Sequence, residues 1–142
     1  VKNKIIFICT GNSYRSQIAE GLFRNEAGEK FEVFSAGSHP SRLHPAAIKV
    51  MAEWGIDIQK QRSEKIDKYL NKGINIVITV CDNAQSACPN FPGAKIIIHW
   101  SIKDPFHSWN DHEKDLEPYR IARDEIKERI QNLLQKDEIK NL

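Results

Sequence analysis

Residues 4–8, Lys-Ile-Ile-Phe-Ile, place four large apolar side chains in succession, and residues 74–80 form a second run rich in Ile and Val. A strand with one face in water alternates apolar and polar residues. An unbroken run marks a strand buried on both faces, as in a parallel sheet covered by helices. Between the strand-like runs the apolar period lengthens. A helix is expected from near Arg15, with Ile18, Ala19, Leu22 and Phe23 on one face and Gly28 near its end. A short strand is expected over residues 32–34, closed by Ser35-Ala36-Gly37. Pro45 suits the first turn of a helix faced by Ala47, Ile48, Met51 and Ala52 and ending at Gly55. A weaker helix is expected over residues 64–70, a fourth strand over 95–98, and a long final helix faced by Tyr119, Ala122, Ile126, Ile130 and Leu133. Strands that alternate with helices imply an α/β fold: an open four-stranded parallel sheet flanked by helices on both faces. The 142 residues suit a single domain, 1–142.

Charge narrows the function classes only a little. The formal net charge is +2, with no basic run; that balance neither demands nor excludes a nucleic-acid partner, and none is expected. No apolar stretch is long enough to span a membrane, and the first residues lack a signal-type layout. A cytoplasmic protein is therefore expected, with a monomer as the default. Three cysteines, an odd number, leave one unpaired in any purely structural disulfide scheme. In a reducing compartment they are free thiols unless they are catalytic or redox-active.

Their positions decide how they are read. Cys9 directly follows the first strand, and Cys81 directly follows the strand of residues 74–80. Ligands of open parallel sheets bind at the carboxyl edge of the strands, so both cysteines are expected on that edge. Cys9-Thr10-Gly11-Asn12-Ser13-Tyr14-Arg15 joins strand to helix, with the cysteine and arginine six positions apart. A loop that feeds a helix N-terminus turns successive backbone N–H groups inward and makes a nest for a tetrahedral oxyanion. Gly11 eases the tight turn, Arg15 offers a planar fork to two oxygens, and Ser16 is placed to hydrogen-bond the Cys9 sulfur. A thiol in such a nest is expected to have a depressed pKa, with the thiolate as the resting form near neutral pH.

Cys9 to Ser16, CTGNSYRS, resembles the phosphate loop of the low-molecular-weight protein tyrosine phosphatase superfamily. Ser35-Ala36-Gly37 and Asp104-Pro105 stand where that superfamily has a matching Ser-Ala-Gly and its acid-bearing Asp-Pro. The resemblance implies Cys9 as nucleophile, the backbone of Thr10 to Tyr14 with Arg15 as oxyanion binder, and Asp104 as general acid. Asn12, Ser35 and Glu20 resemble positions that support the loop, in some members around a potassium ion. Glu64 stands where reductases of the superfamily often have Asp, and no metal is expected in the chemistry. Tyr14 replaces a residue that is often cysteine.

The superfamily holds both phosphatases and thioredoxin-coupled arsenate reductases. Cys81-Asp82-Asn83-Ala84-Gln85-Ser86-Ala87-Cys88-Pro89 resembles the redox segment of the reductases, and His99-Trp100 also resembles that branch. The resemblance implies arsenate as substrate, with phosphate or sulfate as mimics, no bound cofactor, and thioredoxin as external reductant. It also implies a relay in which Cys9, Cys81 and Cys88 pass a disulfide outward. Spacing adds a constraint. Seven residues of straight helix rise ~10.5 Å, whereas a disulfide needs Cα atoms within ~7 Å. Cys81 and Cys88 can bond only if the segment between them kinks or unwinds. Phe106, after the Asp-Pro, resembles the phosphatases. A phosphatase for phosphotyrosine or small phosphate esters remains an alternative, as does an anion-binding redox sensor without turnover.

Overall fold

The protein is described by a computed structural model that covers residues 2–142. Its elements run β1 (Asn3–Cys9), α1 (Arg15–Ala27), β2 (Phe31–Gly37), α2 (Pro45–Ala52), β3 (Ile76–Thr79), α3 (Asp82–Ala87), β4 (Ile96–His99), α4 (Glu117–Gln135) and α5 (Asp137–Lys140). The four strands form one sheet in the order β2-β1-β3-β4, and every pairing is parallel. Ile5, Ile6, Phe7 and Ile8 are all fully buried. Consecutive strand residues point to opposite faces, so both faces of β1 are covered. Burying each such side chain stabilises the fold by ~1.5–3 kcal/mol. β4, at one edge, leaves Ile97 67% exposed.

The register places the functional ends together. Ile8 of β1 pairs with Thr79 of β3, and Cys9 pairs with Gly37 of β2. The carboxyl ends of the strands therefore form one edge, which carries Cys9, Gly37 and, just beyond β3, Cys81. α1 packs on β1 and β2 through Phe23, whose ring lies 5.7 Å from Phe7 and 5.2 Å from Phe31. α4 closes over α1 and α2 with Tyr119, Ala122, Ile126, Ile130 and Leu133 buried, the face its apolar spacing indicates.

Three local expectations are corrected. Ser35-Ala36-Gly37 does not close β2 but belongs to it, because Gly37 continues the ladder with Cys9. Residues 64–70 form only a short 3-10 turn, Ile66–Tyr69. Gly37 instead draws Glu64 and Lys65 into strand-like contact through Gly37 N–H to Glu64 O, at 2.8 Å. α2 stops at Ala52, ahead of Gly55. Among the described residues, no helix is long and apolar enough to cross a membrane.

Candidate active site

The loop from Cys9 to Arg15 turns through Asn12, whose φ of 46° lies in the left-handed region. Asparagine tolerates that conformation better than most residues. The strained position is thus Asn12, whereas Gly11 has no such backbone demand. The glycine that close approach does require is Gly37. A Cβ there would sit 2.4 Å from Thr10 O and 2.9 Å from Asn12 N. Its bare backbone lets β2 lie directly against the loop.

Beneath the loop every hydrogen of the Asn12 amide is used. Nδ2 donates to Ser16 Oγ at 2.7 Å and to Ser35 Oγ at 3.0 Å, and Oδ1 accepts from Glu64 N–H at 2.8 Å. Ser35 in turn donates to Glu20 Oε1 at 2.6 Å. Ser16, having accepted from Asn12, has its own hydrogen free for the Cys9 sulfur at 2.9 Å. Asn12 N–H also points at that sulfur, at 3.2 Å. Fully satisfied buried networks of this kind fix geometry as well as energy. The Glu20 carboxylate is paired with Arg24 and that of Glu64 with Lys68, so both acidic side chains near the loop already have basic partners. Among the described residues, no group of three or more His, Cys, Asp or Glu is placed to hold a metal ion.

Cys9 is buried, and its pKa differs from the expected depressed value. Burial pushes the thiol up, and this outweighs the Ser16 hydrogen bonds and the Arg15 charge that pull it down. The protein's own groups therefore favour the protonated thiol. The neighbouring Cys81 adds a lesser upward push. Thr10, next to Cys9 in the chain, brings its Oγ1 to 3.5 Å from the Cys81 sulfur.

Cys81 and Cys88 flank α3, one at its N-terminal boundary and the other at its C-terminal boundary. Cys81 is buried, Cys88 is partly exposed, and all three thiols are free. Of the six residues of α3 only Ala84 is buried. Its first turn is held by Asp82, whose carboxylate lies 2.9 Å from His99 Nε2, while His99 Nδ1 meets Thr79 Oγ1 at 2.7 Å.

Arg15 reaches the segment after β4. Its guanidinium donates to Ile102 O at 2.9 Å and lies 3.5 Å from Asp104. Asp104 is mostly exposed and accepts from Phe106 N–H at 3.0 Å. Residues 103–112 thus form an acid loop beside the phosphate loop. Phe106 and Trp109, 46% and 37% exposed, follow Asp104 on this loop. The Tyr14 side chain turns away from the anion nest into the core, where its hydroxyl donates to Tyr119 O. Ser13 Oγ is buried without a hydrogen-bond partner in the loop wall.

Sequence reasoning placed Cys9, Arg15, Ser16, Asn12, Ser35, Cys81 and Asp104 around this one edge. It did not single out the backbone role of Gly37, nor His44 and Tyr119, whose side chains meet at Ser108 O of the acid loop. His44 had one faint signal, its place just before the helix-opening Pro45.

A cysteine under a strand-to-helix phosphate loop, with an arginine at the helix start and an aspartate on an adjoining loop, defines a phosphatase-type α/β protein. Residues 4–141 match the low molecular weight phosphotyrosine protein phosphatase family, and the chain belongs to it. It is 41% identical to an arsenate reductase of Halalkalibacterium halodurans over 129 residues, 91% of this chain and 93% of that one. A solved arsenate reductase in the oxidized state aligns with a TM-score of 0.79 at 36% identity, covering 93% of this chain and 96% of the other. A thioredoxin-dependent arsenate reductase of Corynebacterium glutamicum aligns with a TM-score of 0.74 at 29% identity, covering 94% of this chain and 61% of the other.

Proposed function

We propose that this protein reduces arsenate to arsenite through Cys9, Cys81 and Cys88, with thioredoxin restoring the thiols. The observation that carries this reading is the arrangement of the cysteines. One lies under the phosphate loop, a second lies beside it, and a third sits at the far end of a weakly held helix. A phosphatase needs only the first.

Arsenate enters the nest and is gripped by backbone N–H groups and Arg15. As a dianion it brings its own base, which takes the proton that burial keeps on Cys9. The Cys9 thiolate attacks arsenic while Asp104 protonates the departing oxygen, which leaves as water. Cys81 then attacks the Cys9 sulfur. The sulfur–arsenic bond breaks, its electron pair stays on arsenic, and arsenite leaves behind a Cys9–Cys81 disulfide. The Cys88 thiolate attacks Cys81 and releases Cys9. α3 must unwind for this step, and the exposed Cys81–Cys88 disulfide passes to the thioredoxin dithiol.

The test is arsenate-dependent NADPH oxidation with thioredoxin and its reductase. Cys88→Ser should stop multiple turnover yet trap a Cys9–Cys81 pair, detectable as a disulfide-linked peptide by mass spectrometry. Cys81→Ser should form no such pair. Wild-type turnover in both variants would return Cys81 and Cys88 to structural roles. The exposed Phe106 and Trp109 beside Asp104 favour a second reading, hydrolysis of aryl phosphates on the same loop. That activity should survive both cysteine substitutions and vanish in Cys9→Ser.

A further inference from the structure

The acid loop reaches Asp104 into place across a polar, solvent-exposed stretch, and a cleft of about 520 Å³ separates part of it from the start of α4. Its firm contacts converge on one side chain. His44 is fully buried just before α2, and its backbone N–H donates to Ser13 O of the phosphate loop at 3.0 Å. Its Nδ1 accepts from Ala46 N–H at 2.9 Å and so caps α2. That nitrogen is therefore unprotonated, and the ring proton resides on Nε2, which donates to Ser108 O of the acid loop at 2.7 Å. Tyr119 of α4 donates to the same carbonyl at 3.1 Å. Trp109 stacks on the His44 ring at 5.1 Å and 20°, with the Arg42 guanidinium 4.2 Å from the Trp109 ring. Phe106 meets the His44 ring edge-on at 5.7 Å.

We propose that His44 is a positioning residue for the acid step: it latches residues 106–109 to the phosphate loop and so holds Asp104 where the leaving oxygen forms. This rests on the acid role proposed for Asp104. One neutral imidazole makes all these contacts at once. A second ring proton would face Ala46 N–H and break the cap. The surroundings favour the neutral form. Burial pushes His44 below the ordinary histidine value, helped by Arg42 and His107 and opposed by the Ser108 carbonyl and Asp111, while Tyr14 and Tyr119 complete its walls. Misplacing a catalytic group by about 1 Å costs as much as ~100-fold in rate, so a loop anchored at one ring is sensitive to that ring.

His44→Asn is the informative variant. Asparagine still caps α2 but loses the donor to Ser108 and the face under Trp109. In the thioredoxin-coupled assay, kcat for arsenate should fall about tenfold with KM within about twofold. A residue that acts through Asp104 should add nothing once Asp104 is gone. His44→Asn in an Asp104→Asn background should therefore change kcat less than about twofold. Wild-type kcat in the single variant, or a further tenfold loss in the double variant, overturns the proposal. Trp109→Leu removes the stack without touching the cap, so it carries the same test should His44→Asn fold poorly. If the wild type turns over no arsenate, the reductase reading fails separately. The same four proteins assayed on phenyl phosphate, whose leaving oxygen also needs a proton, still decide the role of His44.

Discussion

Cys9 faces two opposed demands: burial beneath the loop raises its pKa, and the nucleophilic role proposed for it asks for groups that lower it. Ser16 is the strongest of those groups, because it acts at 2.9 Å inside the core, where a hydrogen bond is little screened. Ser16→Ala removes a donor that favours the thiolate, so the Cys9 pKa should rise above its wild-type position. The sign is checked by following the rate of Cys9 alkylation with iodoacetamide against pH. The midpoint should move to higher pH, and at fixed neutral pH both alkylation and arsenate reduction should slow. An unchanged midpoint would remove Ser16 from the activation of the thiol.

α3 is short and holds to the protein through one buried residue and the Asp82–His99 contact. Segments with so few buried contacts open at low cost. This suits a helix whose two flanking cysteines can bond only after it unwinds. Strengthening it should therefore impede the relay. Asn83 and Ser86 are exposed, and changing both to Ala raises helix propensity by about 1 kcal/mol in total. The Cys9–Cys81 disulfide should form at the wild-type rate, whereas transfer to Cys81–Cys88 should slow about fivefold. Acid-quenched samples resolved by mass spectrometry separate the two steps. Equal transfer rates would mean that unwinding of α3 does not limit the exchange.

Across the whole molecule, one ion-pair network fastens α2 to α4 behind the site. Glu53, at the end of α2, meets Arg120 at 2.6 Å and the buried Arg123 at 2.7 Å, and Arg123 lies 3.8 Å over the Trp54 ring. Arg120 also holds Glu113 at 2.7 Å, just beyond the acid loop. The hydrogen bond from Arg120 pulls the Glu53 carboxyl down to about 2; burial opposes it, and the Arg123 hydrogen bond and the charges of both arginines add to the fall. A depressed carboxyl contributes stability that is complete above its ordinary value near 4.5 and is lost as pH falls through about 2. Glu53→Gln should lower the melting temperature by roughly 3–8 °C at neutral pH. The gap between the two proteins should then narrow as pH falls from about 4.5 toward 2. A gap that stays constant over that range would mean that the network is not what Glu53 contributes.

The parallel sheet was legible in the chain because unbroken apolar runs are compatible with few environments, and residues 4–8 and 74–80 occupy the one expected. The phosphate loop was legible because its residues are contiguous: Cys9, Asn12, Arg15 and Ser16 span a single strand-to-helix turn. The placement of Cys81 on the same edge followed from topology alone, since Cys9 ends one parallel strand and Cys81 stands just beyond another. Other features depended on long-range approach, which no local pattern encodes. Gly37 matters because a Cβ there would sit 2.4 Å from Thr10 O, so that only a bare backbone lets β2 lie against the loop. His44 matters in the proposed latch because the acid loop and α4, 64 and 75 positions along the chain, converge on its ring at the start of α2. The Cys9 pKa turns on how deeply the packed helices bury the sulfur, and this outweighs the positive loop that the sequence displays. Contiguous chemistry and apolar period are properties of the chain, whereas desolvation and the meeting of distant side chains exist only once the core has closed around them.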